Sequence, residues 1–102
     1  MVDGQRFEPE TVTIKAGDTL EWTNESSESH TVTAYDDGVP SDGDYFASGG
    51  FDDESAARDD LAGGLMTQGD TFEVTFADPG TYEYFCIPHE SSGMKGTIVV
   101  ER

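Results

Sequence analysis

The sequence predicts an all-β fold built as a two-sheet sandwich. Three observations carry that expectation: apolar and polar residues alternate with period two in several short runs, turns bearing glycine or proline separate the runs, and helical periodicity is confined to one brief stretch. The 102 residues fit one domain, 1–102, large enough to bury a core without staples.

In the first run, residues 11–15, Val12 and Ile14 face one way; Leu20 and Trp22 do so in the second. The clearest strand is 71–77, with Phe72, Val74 and Phe76 inward and Thr71, Glu73 and Thr75 toward solvent. Tyr82, Tyr84 and Cys86 share a face in the next run, and Ile98 with Val100 closes the chain as a final strand. Turns fall at Ala16-Gly17-Asp18, Gln68-Gly69-Asp70 and Asp78-Pro79-Gly80, where glycine supplies positive φ or proline fixes φ. Gly17–Trp22 echoes Gly69–Val74, which reads as shared turn-to-strand chemistry because the two copies are too few and too far apart for a repeat array. From Tyr35 to Gly64 the alternation lapses. An irregular flank is expected there, with one helical turn from Glu54 to Ala62 ended by Gly63 and Gly64.

Charge narrows the partners. Asp and Glu number 22 against 5 Lys and Arg, a formal net charge of −17, so no nucleic-acid partner is expected. Such self-repulsion weakens a compact state in dilute buffer, whereas molar salt shortens the Debye length to roughly 3 Å. The even scatter of acids and the presence of just two lysines, Lys15 and Lys95, read as a surface suited to brine rather than a dedicated docking face. The acidic groups Asp36-Asp37, Asp42 with Asp44, and Asp52-Asp53-Glu54 match no twelve-residue calcium loop. No run approaches membrane-spanning length and Met1–Arg6 lacks the apolar core of a signal peptide. Membrane association is therefore expected only through a leader or lipid tether removed from the chain.

A single cysteine rules out an internal disulfide, so its thiol is inert or functional. Its context favours function. Phe85-Cys86-Ile87-Pro88-His89-Glu90-Ser91-Ser92-Gly93-Met94 places a thiolate, an imidazole and a thioether in one strand-to-strand loop. Thiolate and thioether sulfur suit copper, imidazole tolerates both of its oxidation states, and one Cys with two His plus a weak axial Met is the blue-copper ligand set. The chain has one further histidine, His30, after the Trp22 strand. His30, Cys86, His89 and Met94 are thus the candidate metal ligands, with Met66 a rival sulfur read as gap-filling. A thiol hydrolase is disfavoured by a base three residues away and no orienting partner. A multicopper enzyme is disfavoured by the lone cysteine and the lack of a His-x-His pair, so no catalytic role is expected.

These residues resemble the cupredoxins of the plastocyanin kind, and the acidity is similar to that of the halocyanins of salt-loving archaea. The resemblance covers Phe7-x-Pro9, Lys15-Ala16-Gly17-Asp18, Trp22-x-Asn24 to His30, Gly80-Thr81-Tyr82, and Cys86-x-x-His89-x-x-x-x-Met94 followed by Gly96. It implies an eight-strand Greek-key barrel or sandwich holding one type 1 copper ion, with His30, Cys86 and His89 in a trigonal plane and Met94 axial. It also implies a monomeric single-electron carrier on the outer cell face, docking redox proteins transiently near His89, between Pro88 and Gly93. A copper carrier or store is the alternative that the same ligands allow. Two departures stand out: Thr31 and Ile87 occupy positions where relatives commonly carry Asn and Ser or Thr. A weaker or missing hydrogen bond between the two ligand loops is expected from them. Phe85, standing where plant plastocyanins carry an outward tyrosine, is expected to leave that side without a phenol.

Overall fold

The computed structural model describes Phe7, residues 10–40 and residues 43–102. Met1–Arg6, Pro9 of the Phe7-x-Pro9 stretch and Asp42 of the acidic groups lie outside the described residues.

Six strands form among the described residues: β1 (Thr11–Lys15), β2 (Thr19–Thr23), β3 (Thr33–Ala34), β4 (Thr71–Thr75), β5 (Gly80–Phe85) and β6 (Lys95–Glu101). They make two sheets, one ordered β1-β6-β5-β3 and one pairing β2 with β4. β1 runs parallel to β6 from Thr11↔Thr97 to Lys15↔Glu101, while the other pairs are antiparallel. The all-β sandwich is therefore observed. The isolated bridges His30↔Met66 and Thr33↔Ala47 continue the pairing where β3 itself spans two residues.

The echoed segments turn out to be partners, β2 lying against β4 with Thr19 opposite Thr75 and Thr23 opposite Thr71. Each is launched by the same device. Asp18 Oδ2 accepts from the Lys15 backbone N–H at 2.9 Å, and Asp70 Oδ2 accepts from the Thr67 N–H at 2.8 Å. Gly17 and Gly69 take φ of +95° and +91°, which closes both turns without a Cβ penalty.

Between the sheets lies an aromatic core. Trp22 stacks on Phe46 at 5.8 Å and meets Tyr84 edge-on at 5.4 Å, and Phe76 packs edge-on to Tyr82 at 4.9 Å. Phe76, Tyr82, Tyr84 and Ile98 are buried, each such side chain contributing about 1.5–3 kcal/mol of transfer free energy. This core fixes the ends of β2 and β5, from which the candidate ligands depart.

The flank between β3 and β4 departs from expectation in its helix. The single turn read over Glu54–Ala62 is two short helices, α1 (Glu54–Asp59) and α2 (Leu61–Gly64). Asp60, at φ −128° and ψ 65°, breaks the first and caps the second by accepting from the Gly63 N–H, so Gly63 and Gly64 are taken into a helix instead of ending one. Asp53 caps α1 through the Ala56 N–H. Asp36 and Glu54 exchange backbone bonds at 2.9 and 3.0 Å, so part of this acidity does local capping work. Among the described residues no helix is long and apolar enough to cross a membrane.

Candidate metal centre

His30 ends the connection leaving β2, its backbone tied both ways to Met66 by bonds of 2.7 and 3.0 Å. Cys86 follows β5 directly. The chain then makes a 3-10 turn over Ile87–Ser92, and Gly93 at φ +85° reverses it without strain, so that the Met94 carbonyl accepts from the Cys86 N–H at 3.0 Å. His89 projects from this turn and its N–H bonds the Cys86 carbonyl at 3.2 Å. Two loops distant in sequence thereby face each other.

Three donors converge. His30 Nδ1 lies 3.2 Å from His89 Nδ1, and Cys86 Sγ lies 3.6 Å from the former and 3.4 Å from the latter. The point equidistant from a triangle with those sides is about 2 Å from each corner, the distance at which imidazole nitrogen binds a transition metal; thiolate sulfur sits slightly farther out. The donor set therefore fits one ion. His30, Cys86 and Met94 are fully buried, whereas the His89 side chain remains 17% exposed. Met94 packs in the same core cluster as Cys86, and so does Met66, which the sequence placed outside the ligand loop but the fold pairs with His30.

Each imidazole turns its far nitrogen away from the centre: His30 Nε2 lies 2.7 Å from Ser26 Oγ, and His89 Nε2 lies 3.6 Å from a Glu28 carboxylate oxygen. The Cys86 thiol is pushed up by burial, against which the Thr31 N–H at 3.4 Å, the His89 backbone and the Thr31 hydroxyl favour the thiolate. A bound cation completes the deprotonation, because metal binding releases the thiol proton.

Contrary to the sequence expectation, the two ligand loops are joined. The Thr31 hydroxyl accepts from the Ile87 N–H at 2.8 Å and from the Thr33 hydroxyl at 3.1 Å, leaving its own proton for the Cys86 sulfur. Because the acceptor is a short β-branched side chain and the donor is a backbone N–H, neither Asn at 31 nor Ser at 87 is needed. Thr31→Val, of similar volume, strands the Ile87 N–H in a protected loop. It is expected to lower the stability of the metal-free protein by about 1–3 kcal/mol in denaturant titration; a change within about 0.5 kcal/mol would show the tie to be idle.

Position 85 carries a second correction. Phe85 is fully buried, stacked at 4.2 Å on Tyr35, with the Arg58 guanidinium 4.4 Å above its ring. A phenol thus stands on that side after all, contributed by Tyr35, whose hydroxyl donates to Glu90 Oε2 at 2.7 Å. Arg58 meets both oxygens of Glu90 at 3.0 and 3.2 Å and Glu54 at 2.8 Å, holding the Glu90 carboxyl below the usual carboxylate range. The irregular flank is therefore clamped to the ligand loop one residue past His89. Sequence reasoning missed Ser26, Tyr35 and Arg58, since each acts through a contact across 32 or more residues or inside a loop that reads as plain polar turn.

A β-sandwich carrying a buried cysteine sulfur and two imidazoles at these separations defines a cupredoxin-type copper site. The chain matches the family described as copper binding proteins, plastocyanin/azurin family, over residues 3–101. It is 40% identical over 95 residues to plastocyanin of Scenedesmus fuscus, covering 93% of this chain and 86% of the relative. It is 37% identical over 95 residues to the chloroplastic plastocyanin of Tetradesmus obliquus, covering 93% of this chain and 58% of that longer protein. Among solved structures, a purple cupredoxin from Nitrosopumilus maritimus shares the fold with a TM-score of 0.68 at 24% identity, covering 97% of this chain and 85% of that one. The chain belongs to the plastocyanin/azurin family of copper-binding proteins, which are electron carriers and not enzymes.

Proposed function

We propose that the protein is a small type 1 copper carrier of single electrons, whose ion would be held by His30, Cys86 and His89 with Met94 as a weaker fourth ligand. The observation that carries this reading is the convergence of two Nδ1 atoms and one Sγ within 3.6 Å of one another. Copper held there supplies one-electron exchange between two oxidation states. The chain's part is to keep one cage for both. The Cys86–Met94 backbone bond, the Thr31 tie and the Arg58–Glu90 clamp all resist rearrangement of the ligand loop.

Redox partners are proposed to dock transiently at His89, the one of the four ligands that reaches solvent, beside the exposed Pro88 and Gly93. In concentrated salt that contact is made by shape and apolar surface, since charges a few ångströms apart are already screened. A monomer of the halocyanin type, acting at the outer face of the cell of a salt-loving organism, accounts for the charge of −17.

Titrating the metal-free protein with Cu(II) and recording its visible spectrum, followed by voltammetry, tests the reading. A coloured one-to-one complex with a reversible one-electron wave is expected. No colour, or ready loss of Cu(I) to a thiol acceptor on reduction, would contradict it, the latter in favour of a copper carrier. Because the axial ligand tunes the potential, Met94→Leu is expected to shift the midpoint while Met66→Leu leaves it in place. The reverse pattern would make Met66 the axial sulfur.

A further inference from the structure

We infer that Ser26, oriented by Asn24, is a positioning residue that fixes the proton of His30 on Nε2 and so presets the metal-facing nitrogen before any metal arrives; this rests on the copper-site reading above.

A buried network around Ser26 has few protons to share. Asn24 is fully buried and Ser26 is 1% exposed. The Asn24 side chain lies 2.8 Å from two backbone carbonyls, those of Glu28 and Met66. Both are acceptors, so the amide nitrogen faces them and Oδ1 must point the other way. On that side Oδ1 accepts from the Ser26 backbone N–H at 3.0 Å and lies 2.9 Å from Ser26 Oγ. Ser26 Oγ also lies 3.1 Å from the Glu28 carbonyl, accepts from the Glu28 N–H at 3.2 Å, and meets His30 Nε2 at 2.7 Å. A hydroxyl has one proton to give. Two acceptors, Asn24 Oδ1 and the Glu28 carbonyl, already compete for it.

Toward His30, Ser26 Oγ is therefore the acceptor, and Nε2 carries the hydrogen. In a neutral imidazole the other nitrogen then holds the lone pair, and Nδ1 is the atom 3.2 Å from His89 Nδ1 and 3.6 Å from Cys86 Sγ. The direction of every bond is set by acceptors that cannot change role, the carbonyls of Glu28 and Met66. His89 is held differently: its Nε2 is met by the half-exposed Glu28 carboxylate at 3.6 Å, beyond hydrogen-bond range. The site thus has a preset, buried half built by the Asn24–His30 loop and an adjustable half at the surface. Outer hydrogen bonds of this kind fix the tautomer and ring plane of a metal-bound histidine.

Nitrogen-15 NMR of the histidine rings in the metal-free full chain reads the tautomer directly. The wild type is expected to show His30 as the Nε2–H form, and Ser26→Ala a mixture of both forms. Ser26→Ala is also expected to bind Cu(II) about 10-fold or more weakly by competition titration, with Ser26→Thr recovering the wild-type tautomer. A purely structural serine would lower the melting temperature of Ser26→Ala without moving the tautomer. An Nδ1–H form in the wild type, or wild-type tautomer and copper affinity in Ser26→Ala, would overturn the inference. Wild-type protein that forms no coloured copper complex would instead sink the copper reading, which the tautomer measurement does not touch.

Discussion

Cys86→Ser is expected to abolish the coloured copper complex and to weaken Cu(II) binding by more than about 100-fold, exceeding the 10–100-fold that loss of an outer hydrogen-bonding partner costs. Sulfur makes the difference, since thiolate is the soft ligand that favours copper in both oxidation states and a serine hydroxyl stays protonated. The substitution removes little volume and keeps a polar acceptor facing the Thr31 N–H that now lies 3.4 Å from Sγ. Fold is therefore expected to survive, with a stability change inside about 1–3 kcal/mol. Far-ultraviolet circular dichroism separates lost ligand from lost structure. Retention of both colour and affinity in a folded Cys86→Ser protein would remove the thiolate from the site.

The second large effect concerns salt. With 22 acidic residues against 5 basic ones, most carboxylates have no cation to answer them. If each of the 17 uncompensated charges costs about 0.2 kcal/mol in dilute buffer, as like-charge neighbours do, the total is about 3 kcal/mol. That is a large share of the ~5–15 kcal/mol stability of a small domain. Metal-free protein moved from molar salt to dilute buffer is accordingly expected to melt lower by on the order of 15 °C. Copper-loaded protein is expected to lose less, because the bound cation offsets part of the negative charge and binds the anionic folded state more tightly as screening falls. Equal melting temperatures across that salt range would mean that the acidic coat is not a device for brine.

The strands and the ligands were legible because both are written locally. Period-two alternation marks Phe72, Val74 and Phe76 as inward, and Cys86, His89 and Met94 fall within one loop, so their proximity needs no knowledge of the fold. His30 was reached by inventory, being the second of two histidines, and it took the pairing of Met66 with His30 and the opposition of two loops to bring it to the sulfur. Contacts that depend on such opposition were illegible. Thr31 looked like the loss of a loop tie, yet its hydroxyl makes that tie with the Ile87 backbone, a donor every residue but proline offers. Phe85 looked like the loss of a phenol, which Tyr35 supplies from 50 positions upstream by stacking on it. The break at Asp60 was hidden because Asp60 reads equally well as a helix residue and as a cap. Likewise Asp36, Asp53 and Glu54 looked like undifferentiated acidity until the backbone groups they bind were in view.

X-ray absorption at the copper edge of the loaded wild-type protein reads out whether one copper ion sits among His30, Cys86 and His89. Two nitrogen neighbours at about 2.0 Å and one sulfur slightly farther out, near 2.2–2.3 Å, are expected, approximating imidazole and thiolate bond lengths to a first-row ion. A shell of nitrogen and oxygen alone, or one containing a single imidazole, would contradict the account.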